Sequence, residues 1–341
     1  MTTIVCALCQ KQKEPKKNTH YLTDAIIRNC LNIDGSAKRE QGLYFSLSDD
    51  TPYIEYNFQR DTPAHKLEDA INREPTEDEI EKAKQIPFSV DTVFCSSCES
   101  IFTSIEVAFI DRYLSAFRQA DLTTKQDVIL DDTVLVRKFF LLQVWRTAIC
   151  DDVFRLSEDA KEKLRLIILG ETTNNLMSFP LLINYLETLG EEFEYTSNQV
   201  GYTSDIEPSF IFMNDFVIQF FENQSKVKFS SLYGLNNDND FSSFVNLEQE
   251  LFRVKVVHNA VRKKVLETFR ATEKAKQLKL FLNDRFIFSW IQLFGFTPPM
   301  AIRYAYFSGL FGNNETDLLR YTEASIKQYT VEFFYRYSRY L

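Results

Sequence analysis

The residues best suited to chemistry in this sequence are two pairs of cysteines. Cys6 and Cys9 form one C-x-x-C pair, and Cys95 and Cys98 form the other. Two intervening residues allow both sulfurs of a pair to reach one ion from a tight turn, and four thiolates satisfy a tetrahedral Zn²⁺. The spacing therefore predicts one structural zinc ion, bound by all four cysteines, that joins segments distant in the chain.

Two other interpretations of the cysteine pairs stay open at this stage. In one, the four thiols are unrelated buried cysteines. In the other, a C-x-x-C pair acts as a redox centre, although the thioredoxin-like βαβ context of such pairs is missing. Cys30 and Cys150 lie outside the pattern without a nearby histidine, so we interpret them as buried thiols.

The segments around the cysteines are expected to position them. A short strand over Thr3–Ala7 leads into a knuckle at the first pair, and a strand over Asp91–Cys95 leads into the second. A helix over Glu99–Phe117 follows, and the positive end of its dipole favours thiolate. A strand and knuckle, followed by a second pair at a helix N-terminus, is the plan of a treble clef.

The remainder of the chain has a mainly helical hydrophobic pattern. Thr133–Ile149 is predicted to be a central apolar helix, and Leu247–Leu282 one long helix. Ser157 and Gly170 cap another predicted helix. Two aromatic runs flank Asn214-Asp215 and predict a β-hairpin near 209–221.

These elements predict an α+β, predominantly helical protein with two domains. The first, residues 1–118, is a zinc-binding treble clef with an inserted acidic segment at about 60–88. The second, residues 119–341, is a large helical domain with a small β-hairpin and basic C-terminal helices.

Charge and hydropathy narrow the classes of function. The net charge is −9, but residues 251–341 hold 15 Lys+Arg against 7 Asp+Glu, a balance of +8. Such a basic region binds DNA or RNA in some proteins and is a solvated helix surface in others. No stretch of about 18 uncharged apolar residues predicts a membrane span. The N-terminus lacks the apolar region of a secretory signal, so we expect a cytoplasmic protein.

A family resemblance becomes visible when four segments are read together. They are C-A-L-C at 6–9, T-H-Y-L-T-D-A-I-I-R at 19–28, F-C-S-S-C-E-S-I-F at 94–102 and F-L-L-Q-V-W-R at 140–146. This order resembles a group of bacterial proteins of unassigned function, whose N-terminal part is similar to the HNH (ββα-metal) endonuclease superfamily. The resemblance covers roughly residues 1–170.

The resemblance implies a catalytic centre beside the zinc. His20 matches the histidine that activates water in HNH nucleases. Asp24, Glu99 and Glu106 are the candidate ligands of a second metal, Mg²⁺ or Mn²⁺. Two departures stand against this: H-Y-L-T replaces the family's H-I-I-P, and the helix after Cys98 has no Asn or His where HNH nucleases supply a ligand.

Each of these residues also has a structural interpretation. His20 can position or cap a neighbouring segment, Glu99 can be stabilised by a helix dipole, and Glu106 can form a salt bridge. His65 lies in the acidic insertion and is expected to be solvated. His258 lies on an apolar seam and is expected in the core or an interface.

Two functional hypotheses follow. The first is an HNH-like, metal-dependent endonuclease with His20 as general base, which the resemblance associates with bacterial anti-phage defence. The second is a non-catalytic, zinc-stapled module that binds a protein partner or nucleic acid. The sequence contains no Walker A loop, dinucleotide-binding glycine loop or G-x-S-x-G motif.

Overall fold

The architecture was analysed in a computed structural model of the chain. The structure describes residues 3–29, 43–46, 55–58, 65, 68, 74–84, 88–171, 176–188, 199–247, 251–311, 321 and 323–338. The chain forms two compact units. The first comprises residues 1–48 and 56–263, and the second comprises residues 49–55 and 264–341.

The first unit is built on a mixed β-sheet with eight strands in the order β5-β4-β9-β10-β11-β8-β12-β7. The bounds are β4 (Leu43–Ser46), β5 (Glu55–Phe58), β7 (Asp127–Leu130), β8 (Leu181–Leu186), β9 (Gln199–Thr203), β10 (Ser209–Met213), β11 (Phe216–Phe220) and β12 (Phe252–Val257). Six strands, β7 to β12, form the main body of the sheet, and β4 joins it parallel to β9. β12 is parallel to β8, and the other pairings within the main body are antiparallel.

Short strands and helices complete the description. The short strands are β1 (Ile4–Val5), β2 (Gln12–Lys13), β3 (Thr19–His20) and β6 (Ser89–Val90). The helices of the first unit are α1 (Asp24–Asn29), α2 (Glu77–Lys84), α3 (Ser96–Phe109), α4 (Ser115–Arg118), α5 (Thr133–Cys150), α6 (Glu158–Leu169) and α7 (Phe241–Phe244). Helix α8 (Asn259–Phe269) begins in the first unit and ends in the second. A π-helical turn, Ile110–Leu114, connects α3 to α4.

Helix α5 occupies the core of the first unit. It contacts both α3 and α6, and aromatic rings link it to the sheet. Phe139 stacks on Phe109 of α3 with centroids 3.9 Å apart, while Phe140 stacks on Phe252 of β12. Because neighbours surround it, α5 is buried around most of its circumference, as its apolar sequence predicts.

The sheet is covered on both faces. All six residues of β8 and all five of both β10 and β11 are buried. A smaller apolar cluster lies apart from the main core and consists of Leu182, Phe221, Phe241, Phe244 and Val245. Strands buried on both faces have continuous apolar sequences such as L-L-I-N-Y-L, which lack the alternation that marks a half-exposed strand.

The predicted fold class is wrong. The hairpin at Asn214-Asp215 is present, with Asn214 in the left-handed region at φ 61°, but its strands are the middle of the large mixed sheet. Residues 119–341 therefore do not form a mainly helical domain with a small β-hairpin. The sequence obscured the sheet because its partners are far apart in the chain and its central strands do not alternate.

The predicted long helix over Leu247–Leu282 is also wrong. The segment Phe252–Val257 is strand β12, and a helix begins only at Asn259. Its buried residues Phe252, Val254 and Val256 alternate with half-buried Arg253 and Lys255, which is the period of a strand. The β-branched valines favour this conformation.

Other local predictions are confirmed. The central helix spans Thr133–Cys150. The Ser157 side chain accepts a hydrogen bond from the amide of Ala160, and Gly170 ends that helix in the left-handed conformation at φ 79°. Cys30 and most of the acidic segment at 60–88 lie outside the described residues.

The second unit contains a bundle of three helices. They are α9 (Lys276–Phe294), α10 (Met300–Phe311) and α11 (Glu323–Ser338). Phe286 of α9 forms the centre, since its ring stacks on Tyr306 of α10 at 4.2 Å and lies 5.9 Å from Phe333 of α11. Within the part of the chain that the structure describes, no helix is long and apolar enough to cross a membrane.

Candidate metal centre

The first cysteine pair lies in the turn of a β-hairpin. Strands β1 and β2 pair through Ile4 with Lys13 and Val5 with Gln12. The amide of Cys6 donates to the carbonyl of Lys11 at 3.1 Å, and Gln10 adopts a left-handed φ of 55° that closes the turn. The hairpin therefore folds the first C-x-x-C pair into a compact knuckle.

The second pair lies at the start of α3. Cys95 is the residue before the helix, and the amide of Cys98 donates to the Cys95 carbonyl at 3.1 Å. The prediction of a strand over Asp91–Cys95 is wrong: the strand before the second pair is Ser89–Val90, which pairs with β3, and Cys95 forms only an isolated bridge with Pro15. The predicted helix is present and starts at Ser96.

The four sulfurs converge on one point. All four Sγ atoms lie within 4.8 Å of one another, and Cys9 Sγ is 4.0 Å from Cys95 Sγ. In a tetrahedral zinc site with Zn–S bonds of about 2.3 Å, the sulfurs are about 3.8 Å apart. The four cysteines therefore lie close enough to bind one metal ion.

Backbone hydrogen bonds hold the two halves of this cluster together. The amide of Ala7 donates to the carbonyl of Val93 at 3.0 Å, and the amide of Lys16 donates to the carbonyl of Phe94 at 2.8 Å. The side chain of Arg165, on α6, also donates to the carbonyl of Leu8 within the knuckle at 2.9 Å. The cysteine positions are thus supported by the surrounding chain.

The environment of the thiols favours a bound cation. Cys6, Cys95 and Cys98 are buried and Cys9 is half-buried. Burial raises the pKa of the Cys95 thiol, but hydrogen bonds, chiefly from Ser97, outweigh it and bring the pKa to about 6. Burial and the adjacent thiols raise the pKa of Cys98. Ionising every thiol in so small a volume requires a positive charge among them.

The predicted base His20 lies on β3. Its Nε2 is 3.9 Å from Oδ1 of Asp24, and the two side chains are about one-third exposed, at 32% and 37%. The backbone carbonyl of His20 accepts a hydrogen bond from Arg146 at 3.0 Å. Its catalytic role stays a prediction.

Glu106 is engaged by a buried arginine. Its Oε1 accepts hydrogen bonds from Arg146 and from the hydroxyl of Thr23, the latter at 2.7 Å. The Arg146 side chain is 1% exposed and that of Glu106 is 17% exposed. A carboxylate held in this way is a salt-bridge residue, as the structural interpretation of the sequence proposed.

Glu99 faces the interior from the first turn of α3. Burial raises the pKa of its carboxyl, and the nearby Arg146 partly opposes this shift. Among the described residues, the four cysteines are the one group of His, Cys, Asp and Glu side chains that fits a metal ion. The assignment of Asp24, Glu99 and Glu106 to a second metal stays a prediction.

Sequence reasoning missed the role of Arg146. Its guanidinium also donates to Oε1 of Gln143 at 3.2 Å and lies over the ring of Phe102 at 5.3 Å from the centroid. Gln143 in turn accepts from the amide of Thr23. The sequence did contain a signal, which is the presence of an arginine and a glutamine within an otherwise apolar helix. Because polar side chains are buried only when they have partners, these two residues indicated a buried polar network.

The knuckle carries a cluster of basic side chains. Four exposed lysines lie on or directly after the β1–β2 hairpin: Lys11, Lys13, Lys16 and Lys17. The intervening Glu14 reduces the local balance to about +3, since four positive charges and one negative charge are present.

Fewer basic side chains of the C-terminal region are exposed for binding than its composition indicates. Arg262 and Lys274 are completely buried. The guanidinium of Arg262 donates to the carbonyl of Leu186 at 3.0 Å, so it hydrogen-bonds a buried backbone group. Lys279 lies over the ring of Phe311, 5.0 Å from its centroid.

The other two histidines lie away from the cysteines. His65 is exposed, as predicted. His258 was expected in the core or an interface, but its side chain is 42% exposed and its Nδ1 lies 2.8 Å from Oε2 of Glu187.

Comparison with known proteins gives no family for the chain: no family model, no curated protein and no solved structure matches it. The HNH-like resemblance therefore has no support beyond the motifs themselves, and the four-cysteine cluster is the part of that resemblance that the structure supports.

Proposed function

We propose that this protein is a non-catalytic, zinc-stabilised nucleic-acid-binding protein. The observation that carries the proposal is the convergence of four thiols within 4.8 Å. Four thiolates that can coordinate one ion tetrahedrally leave no coordination position open for water or substrate. This is the ligand set of a structural Zn²⁺ site. The ion holds the β1–β2 hairpin against the N-terminus of α3.

The hairpin lysines supply the binding surface. Lys11, Lys13, Lys16 and Lys17 are exposed beside a rigid metal centre, where their ammonium groups can contact a phosphate backbone. The lysines contact the charged phosphate backbone and not the bases, so binding depends little on the nucleotide sequence. The engagement of Glu106 by Arg146 supports a non-catalytic role, because it occupies one of the carboxylates that a second metal would need.

Zinc content and nucleic-acid affinity test this proposal together. Elemental analysis of the purified chain is expected to give one zinc per chain. Fluorescence anisotropy with labelled duplex DNA and with labelled RNA, over a series of salt concentrations, measures binding. Affinity should fall with salt, and replacing the four hairpin lysines by serine should reduce the slope of log K against log [salt] by about 2 to 4.

A matched set of lysines separates the two candidate basic surfaces. Four exposed lysines elsewhere, at Lys228, Lys264, Lys276 and Lys327, are replaced by serine in a second variant. The proposal expects this variant to bind like the wild type. Loss of affinity in this variant alone would move the interface to the surfaces that carry these lysines, three of which lie in the basic region 251–341, and absence of binding by the wild type would reject nucleic acid as the partner.

A second candidate function is HNH-like hydrolysis, favoured by the position of His20 beside Asp24 at 3.9 Å. In this candidate the imidazole acts as the general base that takes a proton from the attacking water, and a divalent ion would stabilise the negative charge on the one ester oxygen that leaves. Plasmid DNA and structured RNA are incubated with Mg²⁺ or Mn²⁺ and with wild type, His20→Ala and His65→Ala. Cleavage that His20→Ala abolishes and His65→Ala retains, at equal zinc content, would establish hydrolysis in place of binding alone.

A further inference from the structure

The first cysteine pair has an arginine from another element beside it. Arg165 lies on α6, and its Nη1 donates to the backbone carbonyl of Leu8 across 157 residues of sequence. Leu8 lies between Cys6 and Cys9, so this hydrogen bond ends within the C-x-x-C turn. A guanidinium is therefore held against the turn that presents two of the four sulfurs.

Glu162 fixes the orientation of this guanidinium. Its Oε2 accepts a hydrogen bond from Nε of Arg165 and its Oε1 accepts one from Nη2, both at 2.7 Å. A bidentate pair of this kind holds the planar guanidinium in one orientation and leaves Nη1 for Leu8. The Arg165 side chain is 13% exposed, against 48% for Glu162. The cation is therefore better shielded from water than the carboxylate that orients it.

The four sulfurs differ in the groups that stabilise their negative charge. A zinc ion bound by four thiolates carries a net charge of about −2, and such a charge is unfavourable in a buried place unless donors or cations lie near it. Cys95 Sγ lies 3.2 Å from the hydroxyl of Ser97, and Cys6 Sγ accepts from the amide of Cys95 at 3.4 Å. The contact of Cys9 Sγ is with another sulfur, that of Cys95 at 4.0 Å.

Arg165 is close enough to Cys9 for the two charges to interact. The pKa of the Arg165 guanidinium is raised chiefly by its hydrogen bond to Glu162 and, to a smaller extent, by the negative charge of Cys9. A cation that is shielded from water interacts more strongly with a nearby anion than an exposed one does, because solvent and salt screen it less.

We propose that Arg165 is a positioning residue of the metal centre, which offsets the negative charge of the zinc–thiolate cluster and slows the loss of the ion. It acts on the thiolates and on the turn from Cys6 to Cys9 without binding the metal itself. Residues that support metal ligands in this way change metal affinity by about 10- to 100-fold. The inference rests on the proposed zinc site, and it links occupancy of that site to α6.

The rate of zinc release provides the first test. The purified full chain is mixed with an excess of a chelator that changes colour when it binds zinc, and the absorbance gives the rate. Arg165→Met removes the charge and should release zinc about 10-fold faster or more. Arg165→Gln keeps an amide donor for the carbonyl of Leu8 but no charge, so it should also release zinc faster. Arg165→Lys keeps a positive charge and should fall between these variants and the wild type.

Lys163→Met is the matched control for the loss of a positive charge from α6. The Lys163 side chain is 44% exposed and pairs with Asp159, so this variant should release zinc at the wild-type rate. Circular dichroism of each variant confirms that it is folded.

A comparison with and without zinc separates a counter-charge from a purely structural hydrogen bond. Melting temperatures of wild type and Arg165→Met are measured with zinc bound and after chelation. The counter-charge matters only when the zinc–thiolate cluster is present, so the fall caused by the substitution should be larger with zinc bound. Co²⁺ in place of zinc gives an independent readout. Its sulfur-to-metal charge-transfer band should move to longer wavelength in Arg165→Met, because the thiolates lose a nearby positive charge.

Three results would overturn the role of Arg165 while leaving the zinc site in place. They are release from Arg165→Met and Arg165→Gln at the wild-type rate, equally fast release from Lys163→Met, and a fall in melting temperature that is the same with and without zinc. A wild type that contains no zinc would instead overturn the proposed zinc site and this inference with it. The zinc content of the wild type therefore distinguishes the two failures.

Discussion

Arg146 donates a hydrogen bond from Nη1 to the backbone carbonyl of His20 at 3.0 Å, across 126 residues of sequence. The same guanidinium binds Glu106. One buried arginine thus joins the segment after the first cysteine pair to both α3 and α5. Nothing in the sequence of the H-Y-L-T segment identifies the distant arginine that holds it in place.

Replacing Arg146 by Met should destabilise the protein strongly. The change leaves Glu106 partly buried without its counter-charge and the His20 carbonyl without a donor, at a cost of about 3–5 kcal/mol in the free energy of unfolding. Urea denaturation followed by circular dichroism measures this quantity. Adding Glu106→Gln removes the uncompensated charge and should recover part of the loss.

Arg112→Met is the matched control for this change. Its ion pairs with Asp131 and Asp132 are largely exposed, so its loss should hardly alter the unfolding midpoint. Equal effects of the two arginine substitutions would contradict the assignment of Arg146 as the connection between these segments.

Metal removal should lower the melting temperature. A bound ion that joins Cys6 and Cys9 to Cys95 and Cys98 contributes to folding directly, since the unfolded chain lacks a preformed site. A loss of about 3 kcal/mol corresponds to a fall of about 6–12 °C for a unit of this size. Differential scanning calorimetry with and without a chelator measures the shift.

Two cysteine variants show whether that shift belongs to the cluster. Cys95→Ser should lose the zinc and lower the melting temperature without further change on chelation. Cys150→Ser should keep one zinc per chain, because Cys150 lies outside the cluster. A chelator effect that persists in Cys95→Ser would place the metal at another site.

Gln219→Leu tests a polar network buried within the sheet. Gln219 is completely buried and donates to the side-chain oxygens of Asn184 at 2.7 Å and Asn236 at 3.0 Å. Leucine leaves these amides without their partner, which should cost about 2–3 kcal/mol. Urea denaturation checks the value, and Gln224→Leu, at an exposed position, should be nearly neutral. A neutral Gln219→Leu would show that the network adds no stability.

Gly309→Ala tests the close approach of α10 and α11. A Cβ at this position would collide with the hydroxyl of Tyr329 and lie 3.0 Å from its Cζ. Overpacking of this kind costs about 1–3 kcal/mol. Thermal unfolding of Gly309→Ala should show the loss, and adding Tyr329→Phe, which removes the hydroxyl, should recover part of it. A fully stable Gly309→Ala would mean that the two helices separate at no cost.

The sequence by itself determined the local features of this protein. The C-x-x-C spacing predicted the two cysteine pairs, Ser157 and Gly170 predicted both ends of α6, and Asn214-Asp215 predicted a turn. Each depends on residues a few positions apart, whose backbone geometry and hydrogen bonding operate within one turn.

Only the tertiary structure decided how these features are assembled. The pairing of β8 with β12, the place of the hairpin inside an eight-stranded sheet and the contacts of Arg146 all join segments far apart in sequence. Strand pairing and burial depend on which distant surfaces meet, and a continuous apolar run is compatible with a buried helix or a buried strand. The physical reason is that burial is a property of the assembled chain, while turn and cap chemistry belongs to the residues themselves.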